Sequence, residues 1–140
     1  MKAVDQLHRV RLLTSDDTDV LLEIDGRYAA AYGLEVTASR GSASFHARTG
    51  HSFVAMDGNV ARGFVLANAI WTGGRPTVRL ERLAVRDPDD ERARLALLDA
   101  LVKSAYDAGV YDLEAELPEA DALGGKALAA NGFSARPVVS

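Results

Sequence analysis

TVRLERLAVRDPDDERARLALLDALVKSAYDAG, residues Thr77 to Gly109, is the stretch whose reading decides the fold. Its first half alternates, with Val78, Leu80, Arg82 and Ala84 on one face and Arg79, Glu81, Leu83 and Val85 on the other, as a strand does. An acidic loop follows, and then an amphipathic helix carrying Leu97, Leu98 and Leu101. A strand that feeds a helix through a tight loop is a common anion-binding device, because the first helical N–H groups have no partner inside the helix.

Working outward, Gly73-Gly74-Arg75-Pro76 turns a long strand, Val60 to Thr72, into the Thr77 strand. Before it, His51 to Met56 reads as a strand and Asp57-Gly58-Asn59 as its hairpin turn. His8 to Leu13 reads as a first strand. Thr14-Ser15-Asp16-Asp17 has capping-box spacing, with its acids where the helix dipole favours them. Val20, Leu21, Ile24, Tyr28 and Tyr32 then recur at helical spacing, and Gly33 is a natural cap. Ala43 to Ala47 is expected to form a helical turn. Downstream, Tyr111 to Leu117 reads as a strand, and Pro118-Glu119 opens a last helix that Gly124-Gly125 weakens and Asn131-Gly132 ends. Phe133 to Val139 reads as a final short strand. An antiparallel meander followed by a helix and another strand requires a crossover. The expected fold is α/β, a mixed and mostly antiparallel sheet of about six strands with helices on both faces.

The 140 residues make one expected domain, residues 1–140, large enough for a core without staples. A net charge of −4 provides no basic field to recruit nucleic acid or an anionic membrane. The absence of cysteine excludes disulfides and a thiol nucleophile, and fits a reducing cytoplasm. MKAVDQLHRV has no apolar signal core, and no run approaches the roughly 20 apolar residues of a membrane span. The three histidines, His8, His46 and His51, lack metal-ligand spacing, so no metal is expected.

The order of these elements resembles that of the GNAT (GCN5-related N-acetyltransferase) superfamily over essentially the whole chain. Asp57-Gly58 followed by Gly63-Phe64, Leu83-Ala84-Val85 followed by Pro88, and Asn131-Gly132-Phe133 are similar to its local marks. Residues Ala47 to Phe53, Gly63 to Trp71 and Val102 to Tyr111 resemble, more narrowly, a small bacterial family of GNAT-like proteins of unknown function. The superfamily resemblance implies acetyl-CoA as cofactor. Pantetheine would lie on the backbone of Leu83, Ala84, Val85 and Arg86, and the pyrophosphate at Arg92, Ala93, Arg94 and Leu95. Asp89, Arg92 and Arg94 stand where the superfamily's cofactor loop carries Gln or Arg and two glycines, and Leu128 where many members carry an acid tyrosine.

Glu81 is the candidate general base by the same resemblance, against an ion pair with Arg79, Arg82 or Arg62. His51 titrates near neutrality when unperturbed and is a second candidate, against a satisfied histidine at a strand end. Trp71, Arg79 and Tyr106 are candidate acceptor contacts; core packing is the alternative for Trp71, and a hydrogen-bonded core position for Tyr106. Arg94 falls on the apolar helix face and points into the cleft, or else pairs with Asp90 or lies at the surface. Lys103 is expected to pair with Asp99. The implied activity is acyl transfer from acetyl-CoA to a small-molecule amine or a protein amino group. The alternatives are a GNAT-like ligand-binding or interaction module without catalysis, and a structural dimer. An open sheet edge would favour a homodimer.

Overall fold

The structure, a computed structural model, describes residues 9–135. Its elements are β1 (Arg9–Leu12), α1 (Thr18–Tyr32), α2 (Arg40–His46), β2 (Phe53–Asp57), β3 (Val60–Thr72), β4 (Arg75–Val85), α3 (Glu91–Asp107), β5 (Asp112–Ala115) and α4 (Ala122–Ala130). The strands form one sheet in the order β1-β2-β3-β4-β5, antiparallel except for the β4–β5 pair. That single parallel pair is the crossover that α3 makes possible.

Local chemistry sets the boundaries. Thr14 and Asp17 form a reciprocal capping box around a 3-10 turn, Ser15–Asp17, that leads into α1. Gly33 closes α1 in the left-handed region at φ 66°, which a residue without Cβ adopts freely. Ser39 and Ser42 cap α2 in the same reciprocal way. Asp90 caps α3 by accepting from the Ala93 amide, and Asp121 caps α4 by accepting from the Gly124 amide. The last helix therefore begins at Ala122, after an Asp cap, and not at the expected Pro118-Glu119.

The core lies on both faces of β3 and β4, where residues 63–67 and 82–85 are buried. Gly63 faces α3, where a Cβ would meet the Ala84 carbonyl at 2.8 Å and Leu97 at 3.3 Å, so glycine permits the close approach. From the other face α1 reaches β4, its Asp25 bonding to Arg82. Ser52, one residue before β2, hydrogen-bonds both the N–H and the C=O of Ala67, extending the ladder with a side chain. Beside it the β3–β4 register shifts between Leu66 and Ala67: Arg82 pairs with Leu66, Leu80 with Ala67, and Glu81 is the extra residue of a β-bulge.

The fold class is as expected, with five strands among the described residues instead of about six. Of the final strand expected over Phe133 to Val139, residues 133–135 belong to no strand and 136–139 lie outside the described residues, as does His8 of the first. Lys103 pairs with Asp107 at 2.8 Å; Asp99, the expected partner, lies one turn the other way along α3. Among the described residues no helix is long and apolar enough to cross a membrane.

Candidate active site at the parting of β4 and β5

β5 pairs with β4 only from Thr77 to Leu80, whereas β4 runs on to Val85. From Glu81 onward the β5-side edge of β4 has no strand partner among the described residues, and its peptide groups are available to an extended ligand. Arg79 sits on the last paired rungs, opposite Glu114. Its guanidinium bonds the Glu114 carboxylate, and lies 3.6 Å from Glu81 and 3.8 Å from Glu116. The ion pair between Glu81 and Arg79 is thus present, within one strand.

The bulge changes which side chains share a face. Strict alternation would set Glu81 with Leu83 and Val85, and Arg82 opposite. Instead Leu83 and Val85 are buried, with Val85 beside Gly63 on the α3 side. Glu81 and Arg82, consecutive residues, both line a cavity of about 350 Å³ on the α2 side. Ser42, Phe45 and His46 of α2, with Leu66 and Asn68 of β3, supply most of the remaining wall. Glu81 and Arg82 also line a larger groove of about 1100 Å³ that runs along β5 toward α4. These two residues are where the smaller cavity and the open strand edge meet.

Arg82 is held from behind. Its Nε donates to Asp25 Oδ1 and its Nη2 to the Glu35 carbonyl, each at 2.7 Å, and its guanidinium carbon lies 5.5 Å from the Tyr28 ring centroid. Asp25 Oδ2 accepts from the amides of Thr37 and Ala38, so this ion pair also fixes the segment between α1 and α2. Nη1 has no partner among the described residues, and it is not among the polar atoms sealed from solvent. His46 donates Nδ1–H to the Ser42 carbonyl at 2.9 Å, and its Nε2 has no partner among the described residues.

The start of α3 is built differently. Arg94 is fully buried, and its Nη1 and Nη2 donate to Pro88 O, Asp90 O, Tyr32 Oη and Asp121 Oδ1 at 2.9–3.0 Å. Among the described residues only Nε lacks a partner. Tyr28 donates its hydroxyl to Asp121 Oδ2 at 2.5 Å. Burial and the neighbouring Asp121 carboxylate push the Tyr28 phenol well up and raise that of Tyr32 above its ordinary value. Arg94 therefore neither points into an open cleft nor lies at the surface, and the Ala93 amide is already taken by Asp90. Within residues 92–95, where the pyrophosphate was expected, the Ala93 amide serves the helix cap and the Arg94 guanidinium lies in the core.

Of the remaining expected contacts, His51 lies toward α3, its Nδ1 2.9 Å from Ser104 Oγ, with burial lowering its pKa. Trp71 is 73% exposed and Tyr106 68% exposed, its ring packed edge-on against Tyr111. None of the three lines the cavity or the groove, because a strand end and an outer helix face carry them away from the bulge. Arg82, Asp25, Asn68 and His46 carried no candidate role in the sequence; only the pairing of elements far apart in the chain brings them together.

Residues 33–136 match the model of DUF1999, a family of proteins of unknown function. The crystal structure of TTHA1254 from Thermus thermophilus is similar at 39% identity over 94% of this chain and 93% of that one, with a TM-score of 0.78. An aminoglycoside N-acetyltransferase, AAC(6')-Iy, solved with CoA, is similar at 19% identity over 95% and 91% of the two chains, with a TM-score of 0.72. A ribosomal-protein-alanine N-acetyltransferase from Brucella melitensis biovar Abortus 2308 is similar at 19% identity over 95% of both chains, with a TM-score of 0.70. Comparison with curated proteins gives no match. At such low identities the last two likenesses are likenesses of fold, the fold of the acetyltransferases. The match over residues 33–136, joined to that fold, places the chain in the DUF1999 family.

Proposed function

We propose that the chain is an acyl-CoA-dependent N-acyltransferase whose acceptor amine enters the cavity at Glu81. The observation that carries this reading is the edge of β4 from Glu81 to Val85, which has no strand partner on the β5 side among the described residues and begins at a residue that lines that cavity. Such an edge suits the amide-bearing pantetheine arm, which can hydrogen-bond to it as an added strand would. The backbone of Leu83, Ala84, Val85 and Arg86 would hold that arm. The phosphates fit less well, since Asp90 occupies the Ala93 amide and the Arg94 guanidinium is enclosed.

A bound acyl-CoA would supply a thioester whose C–S bond breaks as the amine's C–N bond forms; the departing thiolate takes up one ammonium proton to leave as the thiol, and a second has to be removed by a base. Glu81 lines the cavity with its side chain 42% exposed, and its carboxylate takes that proton. Arg79 holds Glu81 at the rim and ties β4 to β5 just where the strands part. Much of the rate would come from holding amine and acyl carbon together, which a preformed cavity supplies without a dedicated acid.

A second reading, a ligand-binding module without catalysis, is favoured by the enclosed Arg94–Asp121 pair and the acid cap at α3. Calorimetric titration with acetyl-CoA, with free CoA and dephospho-CoA as controls, separates the two. Saturable heat from acetyl-CoA, followed by turnover in an amine screen, supports the enzyme. No heat at millimolar acetyl-CoA leaves the binding module.

A further inference from the structure

Arg82 and Glu81, consecutive on the bulge and of opposite charge, both line the same cavity, and we infer that its ligand is a zwitterion, a free α-amino acid. Arg82 is only 9% exposed, yet its Nη1 remains without a partner among the described residues while Nε and Nη2 are fixed by Asp25 and Glu35. Nη1 is open to solvent, so a ligand can take it in exchange for water while the rest of the guanidinium stays fixed. An anionic oxygen acceptor is the natural complement, and a carboxylate supplies two. Glu81, adjacent to Arg82 on the bulge and lining the same cavity, is the complement of an ammonium.

An ammonium and a carboxylate on one carbon span a few ångströms, as do two consecutive side chains turned the same way by a bulge. The volume of about 350 Å³ lies at the small end of ligand cavities, enough for an amino acid and cramped for a large polycation. Asn68 lines it too and offers hydrogen bonds to a short polar side chain. This inference deepens the acyltransferase reading by naming its acceptor class, and rests on that reading for the chemistry but not for the binding.

The test is binding of the twenty free α-amino acids to the wild-type chain without any acyl donor, by thermal shift and then calorimetry. Each is compared with its carboxamide and its decarboxylated amine. At least one amino acid should bind about 10- to 100-fold more tightly than both analogues, the range expected for hydrogen bonds to a charged group. In Arg82→Gln the preference should collapse, and in Glu81→Gln affinity should fall for the amino acid and its carboxamide alike. The comparison among ligands stays decisive even if Arg82→Gln fails to fold. Absence of binding by all twenty, or equal binding of amino acid, carboxamide and amine, overturns the inference. Amino-acid binding without turnover of acetyl-CoA would uphold it and overturn the acyltransferase instead; equal turnover of amines lacking a carboxylate would do the reverse.

Discussion

Arg82 and Arg94 are both buried arginines paired with fully buried aspartates, and Tyr28 touches both pairs, its ring under Arg82 and its hydroxyl on Asp121. They differ in what is left over. Arg94 spends both terminal nitrogens on four protein oxygens and is sealed from solvent. Arg82 keeps Nη1 free among the described residues and lines a cavity. One guanidinium is a piece of core that staples α1, α3 and α4 together; the other is held from behind and presented. Two guanidiniums anchored alike by buried carboxylates thus divide into one enclosed in the core and one that lines a cavity.

The comparison breaks most visibly at Glu81. Glu81→Gln should lower acyl transfer by about 10²- to 10⁴-fold, the range of general base catalysis, in a steady-state thiol-release assay. Being at the rim, the same change should alter stability by no more than about 0.5 kcal/mol in urea unfolding. Next comes Arg94→Ala, which strands the Asp121 carboxylate and should cost about 3–5 kcal/mol of stability, the usual penalty for breaking a buried pair. Arg82→Ala should cost less, about 1.5–3 kcal/mol, because Asp25 keeps the Thr37 and Ala38 amides and water can enter from the cavity. Equal losses from the two arginine variants in urea unfolding would erase the distinction between core and site.

The smallest expected effect is a pH dependence at His51. Burial lowers its folded pKa, so the unfolded chain takes up a proton first as pH falls through the ordinary histidine value. The His51 contribution to stability is therefore complete above that value and declines below it, levelling off once the folded state is protonated too. His51→Asn should flatten this part of a stability-against-pH curve, read from urea midpoints. An unchanged curve would remove burial as the dominant influence on that ring.

The fold was legible wherever turn chemistry punctuates the chain. Asp57-Gly58-Asn59 and Gly73-Gly74 mark the β2–β3 and β3–β4 turns, and Gly33 the end of α1. The site was legible only in Glu81. A bulge leaves no mark in an alternating strand, so the sequence set Arg82 on the opposite face from Glu81, where the structure puts the two together. The roles of Arg82 and Arg94 are decided by Asp25 and Asp121, far away in sequence, and a single chain displays no such pairing. His46 sits in a short helix with no pattern around it. Trp71 and Tyr106 show the converse, since an aromatic at an element's end carries no sign of whether tertiary packing will cover it.

The most direct measurement compares acetyl-CoA with acetyl-pantetheine, which lacks the nucleotide and its phosphates, by calorimetric titration of the wild-type chain. With the arm on the β4 edge and the phosphate seat given over to Asp90 and Arg94, both should bind, with affinities within about tenfold, a difference of about 1.4 kcal/mol. A loss of a hundredfold or more for acetyl-pantetheine would show that the start of α3 does hold the phosphates, and heat from neither ligand would show that the open edge receives no acyl donor; either result contradicts the account.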